Sequence, residues 1–516
     1  MKIVNQYEVA KIVTRDVHRA IIDKVGQLLS LEAEDKLDLL GRQFIEDTAK
    51  ESAKYAILSH RWGVHETTYQ EVREFSRITT KGVQDFIKQH DYYDSFQYNL
   101  ENIVLTLVKA SASGEASSND RSLIDVLAEL CDISSTGGLV NTWKLVRFCD
   151  LAYRVYGCEF AWIDTCCIDK TSSAELDESI RSMFRWYQNS HVCLVHLAST
   201  YETLGFDQDP WFTRGWTLQE LLAPKVIKFH DQFWEPITSA SNDKLGAGPK
   251  FSFSVHAPED SDEDQSCHDD NTTDTSTIME RVSHITSIPM DDLLEFKPSL
   301  ANIRNRLKWA SKRETTRVED QAYCLLGIFK VNMPIAYGEG EAAFHRLQAT
   351  IVQESNDRSL FLWEGMASEK SSILARAPDC FLSEHDSIDE DILADSASSL
   401  DPTFTFTNYG LRIVVLLYSK DLTEKWLLSL NNIQVPSKED LPKYRLAVLA
   451  YKLCSPVTFT STFSTSTPRR LPIVMLLIQE RILNYVRYRR HPWRPRAIDS
   501  SMLAESPCSP EAIFIA

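Results

Sequence analysis

The feature that most constrains this chain is an alternation. Four short, largely apolar runs, YAILS (55–59), FAWID (160–164), VCLVHL (192–197) and KVIKFH (225–230), are separated by stretches whose apolar residues recur at helical spacing. Such runs, bounded by polar turns, suit strands buried on both faces. Between them Leu145, Phe148, Cys149, Ala152, Val155 and Tyr156 mark an amphipathic helix closed by Gly157. Ile180, Met183, Phe184 and Tyr187 mark a second, and WTLQELL (216–222) a third. Strands alternating with amphipathic helices predict an α/β layer: a parallel sheet flanked by helices. In such sheets ligands collect at the carboxyl ends of the strands. Here those ends carry Ser59–Gly63 and Asp164–Asp169.

A chain of 516 residues is too long for one core, and the pattern divides it further. Residues 1–50 form a helical N-terminal segment, its apolar face running from Val9 through Val17 and Val25 to Leu29 and resuming at Leu37, Leu40 and Phe44. That face either packs on the main domain or serves self-association. The α/β core is expected over 51–238, interrupted by the Ser-rich stretch SASGEASSND at 111–120, read as a flexible loop. Between Glu259 and Asp274 stand eight acidic side chains and no Lys or Arg. Residues 239–280 are therefore expected to be a disordered, dispensable acidic insertion. The spacing lacks the central Gly and terminal Glu of an EF-hand, so a calcium loop is not the reading. Helical character returns over 281–365, with GIFKVNMPIAYGEG as a break, and 366–470 reads as a small, separate β-rich unit. The end, 471–516, contains RILNYVRYRRHPWRPR (481–496), which reads as a loose tail or a helix solvated by its charges.

Charge and composition exclude several function classes. The net charge of −18 argues against a nucleic-acid partner, which requires a concentrated basic face. No run of 18 apolar residues exists to cross a membrane. The opening MKIVNQYEVAKIVTRD has neither the apolar run nor the cleavage site of a secretory signal, so a cytoplasmic location is expected. Eleven cysteines lie scattered without a CxxC pair, several in apolar runs, as buried thiols do in a reducing compartment. Cys166 and Cys167 are adjacent and would point apart, so no metal site is expected.

Four longer stretches carry a resemblance. YAILSHRWG (55–63), FAWIDTCCIDKTSSAELDESIRSMFRWYQNSHVC (160–193), PWFTRGWTLQELLAP (210–224) and RLKWASKRETTRVEDQAYCLLGIFKVNMPIAYGEGEAAFHRLQ (306–348) together resemble the fungal HET (heterokaryon-incompatibility) family, in that family's order. The likeness runs from about Tyr55 to Trp363, and SILARAPDCF and TNYGLRI beyond it look like the region that commonly follows. Arg61 departs from the family's usual SHTWG, and no P-loop or WD-type repeat is present.

The resemblance implies a heterokaryon (vegetative) incompatibility role, with cell death as the output. It also implies a distant likeness to TIR domains, hence a TIR-like, flavodoxin-like sheet. Some TIR domains cleave NAD at the nicotinamide–ribose bond, using a Glu on a helix preceded by Trp. Trp216-Thr217-Leu218-Gln219-Glu220-Leu221 is similar, which makes Glu220 the candidate catalytic carboxylate. The chemistry asks for one: departing nicotinamide leaves an oxocarbenium-like ribose that a fixed carboxylate stabilises. The other reading of Glu220 is an exposed or ion-paired helix residue near Arg214. Ser59, Arg61, Trp62 and Gly63 are candidate ligand-binding residues, Arg61 for a pyrophosphate and Trp62 for stacking or, alternatively, the core. Asp164 and Asp169 could orient ribose hydroxyls, or Asp169 could simply open the turn. No resident cofactor is expected; NAD enters as a substrate. A non-catalytic, self-associating signalling module is the alternative, and an upstream incompatibility or NLR-type protein is the implied partner.

Overall fold

The computed structural model describes residues 2–3, 53–63, 66–70, 138–245, 251–253, 274–382, 392–393, 404–429, 439–454, 469–482, 485–491, 496–497 and 510–515. The expected helices over 8–30 and 37–45 and the Ser-rich loop at 111–120 lie outside them. By contact the chain divides into two units: 1–179, 185–211 and 224–279 in the first, and 180–184, 212–223 and 280–516 in the second.

The first unit contains the parallel sheet. Strands β1 (Lys2–Ile3), β2 (Tyr55–His60), β3 (Phe160–Trp162), β4 (Val192–His196) and β5 (Ile227–His230) align in the order β1-β3-β2-β4-β5, every pairing parallel. All four apolar runs are strands of this one sheet, and β3 stops two residues short of Asp164. Helix α1 (Gly138–Arg154) leads into β3, and α2 (Ser173–Asn189), capped by the Ser172 hydroxyl, leads into β4. The period of two in the strands decides which helix covers which face. Ala56 and Leu58 of β2, Ala161, Val192 and Leu194 pack with Phe148 and Ala152 of α1. On the opposite face Trp162 meets Trp186 and Tyr187 of α2, and the Tyr187 hydroxyl donates to the Leu58 carbonyl at 2.9 Å. The sheet is thus wound on both sides. Counted from β2, its order is 2-1-3-4, that of flavodoxin-type doubly wound sheets, and the direction of winding switches between β2 and β4.

The boundary expected at 238 is not where order ends. Residues 239–245 continue the packed structure, with Asp243 buried beneath β5 and bonded to the Phe229 amide, the Thr238 hydroxyl and Lys228. The charge-poor start of the segment supplies partners for an otherwise isolated buried ammonium, which composition averaged over 239–280 conceals. Farther on, β6 (Phe251–Phe253) pairs antiparallel with β7 (Asp274–Ser276). The remainder of the acidic insertion lies outside the described residues.

The second unit joins helices to a closed sheet. It includes the short helix α3 (Thr217–Leu222), most of α4 (Ile278–Thr286), α5 (Ile303–Ser311) and α6 (Ala342–Glu354). A hairpin, β8 (Ala367–Ser368) with β9 (Ser371–Ala375), follows. Next come β10 (Ile392–Leu393), β11 (Phe404–Thr407), β12 (Gly410–Leu417), α7 (Lys420–Ser429), β13 (Tyr444–Cys454), β14 (Arg469–Ile482), β15 (Tyr485–Arg490), β16 (Arg496–Ala497) and β17 (Pro510–Ile515). Strands β12, β13, β14, β15 and β17 pair in a ring that closes on itself, a barrel without a free edge along those strands. Leu411, Ile413, Val415 and Leu417 alternate inward along β12, and α7 packs Leu422, Trp426 and Leu427 on Leu446, Val448, Val474 and Leu476.

Two expectations are corrected here. The β-rich region is not a separate small unit, because it clusters with the helices from 280 onward. Nor is 481–496 a loose tail or solvated helix: Tyr485–Arg490 is a strand of the barrel, and β14 crosses the boundary drawn at 470. Alternation of Tyr and Val with Arg is a strand pattern, and the density of charge obscured it.

Candidate functional site

The carboxyl edge of the parallel sheet concentrates polar side chains. His60, His196 and His230 each end a strand, and the register places them directly opposite one another, His60 with His196 and His196 with His230. They point to the same face as Leu58 and Leu194, so a row of three imidazoles crosses the α1 side at the point where the winding switches. All three are buried. Trp234 stacks on His196 with ring centroids 4.5 Å apart. Burial depresses His196 to about 4 and His230 to about 3, and burial followed by the nearby Lys144 ammonium lowers His60. The row is therefore neutral at pH 7.

Lys144 occupies the same stripe of α1 as Phe148 and Ala152, one turn closer to the edge, so the helix that covers the core also delivers this ammonium. Its Nζ binds Glu66 Oε1 at 2.5 Å, and Glu66 Oε2 stands 3.6 Å from His60 Nε2, beyond hydrogen-bond length. Burial alone would raise the Glu66 carboxyl, yet the Lys144 ammonium paired with it helps to hold it at about 2. The ionised Glu66 also accepts the Gly63 amide at 2.6 Å, which fixes the loop after β2.

Of the residues expected to bind a ligand, two meet at this edge. Trp62 is 40% exposed, not core, and its Nε1 donates to Asp164 Oδ2 at 2.7 Å. Lys170 Nζ lies 3.7 Å over the Trp62 ring. Arg61 and Gly63 are exposed beside them. Ser59 is different: it is fully buried and accepts a 2.8 Å bond from Trp211 Nε1. Asp169 opens the turn before α2, accepting from the Thr171 amide and hydroxyl and, at 2.9 Å, from Gln70. An exposed indole, a carboxylate and an ammonium form a surface that can stack a flat ring and hold hydroxyl or phosphate oxygens. Reading by motif missed His60, Glu66, Lys144, His196 and His230. A signal existed, since YAILS, VCLV and KVIKF are each followed by His.

Glu220 belongs to the second unit. Every residue of α3 is buried, Glu220 included at 6% exposure. Its charge acts on Arg313. Arg313 is itself buried, lowered to about 10 by that burial, and donates through Nη1 to the Arg214 carbonyl and the Thr217 hydroxyl, each at 2.9 Å. Around it the remaining motif residues act as a scaffold. Glu319 accepts the amides of Gly338 and Gly340 at 2.7 and 3.0 Å, and Asp320 accepts the Tyr337 hydroxyl at 2.8 Å. Gly338 is at φ +99°, a conformation that favours glycine. A Cβ on Gly327 would lie 2.2 Å from Phe184 Cβ, so no other residue fits there. Among the described residues no group of three His, Cys, Asp or Glu side chains converges as metal ligands do, and no helix is long and apolar enough to cross a membrane.

Residues 143–206 match the family model described as Heterokaryon incompatibility protein (HET). The chain is 38% identical over 223 residues to the vegetative incompatibility protein HET-E-1 of Podospora anserina. That match covers 40% of this chain and 14% of the relative, so the two share one portion and not a whole architecture. No solved structure matches the chain.

Proposed function

We propose that this chain is an effector of vegetative incompatibility whose α/β unit is TIR-like and acts on a nicotinamide dinucleotide, cleaving the nicotinamide–ribose bond to trigger cell death. The observation that carries the reading is the Trp62, Asp164 and Lys170 cluster on the loops that follow β2 and β3, at the carboxyl edge of the sheet and next to the winding switch between β2 and β4. Ligands of doubly wound sheets lie at that crevice. In this reading Trp62 stacks the base or nicotinamide ring, Asp164 orients ribose hydroxyls, and Lys170 and Arg61 meet the pyrophosphate. Glu220, on its likeness to the TIR motif, is proposed separately as the carboxylate that stabilises the developing positive charge. The shared segment with HET-E-1 supports the incompatibility role.

The test is nicotinamide release from NAD by the purified full chain, beside Trp62→Ala and Glu220→Gln. Both variants should stay folded; Trp62→Ala should raise KM, and Glu220→Gln should lower turnover by on the order of 10²-fold or more. Undiminished release by a folded Glu220→Gln would remove that residue from the mechanism. A wild-type chain that kills cells while leaving NAD intact would overturn cleavage in favour of a non-catalytic signalling module.

A further inference from the structure

The basic stretch near the C-terminus has no part in that chemistry. In the second unit it lines an open groove of about 640 Å³, bounded by Met366, Lys370, Arg487, Arg489 and Arg490. Four cations and one lining carboxylate, Glu369, meet there, on a chain whose net charge is −18. Such a concentration is costly unless something compensates it.

The structure shows how it is held at present. Glu480 of β14 reaches both neighbours across the strand pair, 3.2 Å from Arg487 Nε and 3.1 Å from Arg489 Nε. One carboxylate thus serves two guanidiniums that remain partly exposed. Arg490 points the other way along the strand and is 97% buried, its 3% exposure notwithstanding its place on the groove wall. It donates through Nη1 to the Phe361 carbonyl at 2.9 Å, through Nη2 to the Trp363 carbonyl, and lies 3.4 Å over the Trp363 ring. Its Nε has no hydrogen-bond partner among the described residues. Two partly exposed guanidiniums that share one acid, and a buried one whose Nε is unused, leave this wall with more donors than acceptors among the described residues. The β8–β9 hairpin adds Ser368, Lys370 and Ser371 to the lining.

We infer that this groove binds a small, multiply charged phosphate-bearing anion, with Arg487 and Arg489 as its principal contacts and Glu480 as the internal anion that the ligand displaces. The planar forks of two arginines suit tetrahedral phosphate oxygens, and Glu480 marks where such oxygens go. A volume within the usual range for small ligands accommodates a triphosphate and leaves room beyond it. The site is independent of the sheet edge assigned to the dinucleotide.

Titration of the full chain with inorganic tripolyphosphate by calorimetry tests the inference. Binding should weaken as salt rises from about 50 to 300 mM, since the contacts are partly exposed charges. Arg487→Ala with Arg489→Ala should lower affinity at least tenfold while the melting temperature stays within a few degrees. Glu480→Gln should raise affinity several-fold, because it removes the competing carboxylate. That variant keeps the test informative if the double one fails to fold. ATP binding equal to tripolyphosphate assigns recognition to the phosphates alone, and tighter ATP binding makes the ligand a nucleotide. Absence of tripolyphosphate binding at millimolar concentration, or binding indifferent to both sets of changes, overturns the proposal.

Discussion

Two buried charged residues separate what a side chain does locally from what its motif suggests. Asp243 sits in a stretch whose average composition is that of a solvated loop, yet it is 3% exposed and holds Lys228, which burial and Lys228's distance from water would otherwise leave uncompensated. Removing one partner of a buried pair typically costs about 3–5 kcal/mol. Asp243→Ala should therefore lower stability by about that much in chemical denaturation, whereas a change under about 0.5 kcal/mol would show that water reaches Lys228. Glu220 presents the same physics. Its burial beside Arg313 means that Glu220→Ala should cost about 1–3 kcal/mol, more than a surface carboxylate would, so loss of activity in that variant must be compared at matched folded fraction. Glu220→Gln keeps the shape and is the cleaner probe. Gly327 makes the complementary point about space. Alanine there meets Phe184 Cβ at 2.2 Å, and overpacking of that kind costs about 1–3 kcal/mol; an unchanged melting temperature for Gly327→Ala would contradict that packing.

At the scale of elements, the strands were the legible part. YAILS and VCLVHL are largely apolar on both faces because α1 covers one side of the sheet and α2 the other, and continuous hydrophobicity is the sequence trace of that double cover. The edge was legible as a location but not as a set of residues, since alignment of His60, His196 and His230 depends on register between strands far apart in sequence. Register follows from the sheet's packing and cannot be read from any one run. The aligned row has a measurable consequence. His196 titrates near 4 and His230 near 3 when folded, against 6.5 for a free imidazole, because burial penalises the charged form. The unfolded chain then binds more protons below pH 6.5 than the native one does. Stability is full above that pH and falls as the pH drops from 6.5 toward 4, at up to about 1.4 kcal/mol per unit for each histidine. Glu66, ionised down to about 2, loses its contribution only below 4.5, so the two effects occupy different ranges. Unfolding free energies at pH 7.5, 6.0 and 5.0 should show the decline beginning before the carboxylates titrate. A flat profile between 7.5 and 5.0 would mean that the imidazoles are solvated.

At the scale of the whole molecule, the chain interleaves its two units, and sequence patterning could not reveal this. PWFTRGWTLQELLAP stands between two strands of the parallel sheet, where a crossover helix of the first unit is the natural expectation. Yet 212–223 takes its partners from residues far downstream. The Glu314 amide donates to the Thr213 carbonyl, the Gly215 amide donates to the Glu314 carbonyl, and Arg313 holds the Arg214 carbonyl and Thr217. Gly215 also lies so close to Thr315 and Cys324 that a Cβ would overlap the former. The segments near 212–223 and 313–324 are thus each other's packing surface. That packing fixes where the chain can be cut. Leu218, Leu221 and Leu222 are at most 2% exposed in the full chain, and uncovering three leucines forfeits roughly 4–9 kcal/mol of burial. A fragment of residues 1–279, although it retains every strand of the parallel sheet, should aggregate or bind a hydrophobic dye, while the full chain remains monodisperse. Size exclusion and dye fluorescence on the two proteins decide it. A fragment that melts as cooperatively as the whole chain would show that 212–223 does not depend on the residues after 280, and the coupling of the two motif regions would then need another cause.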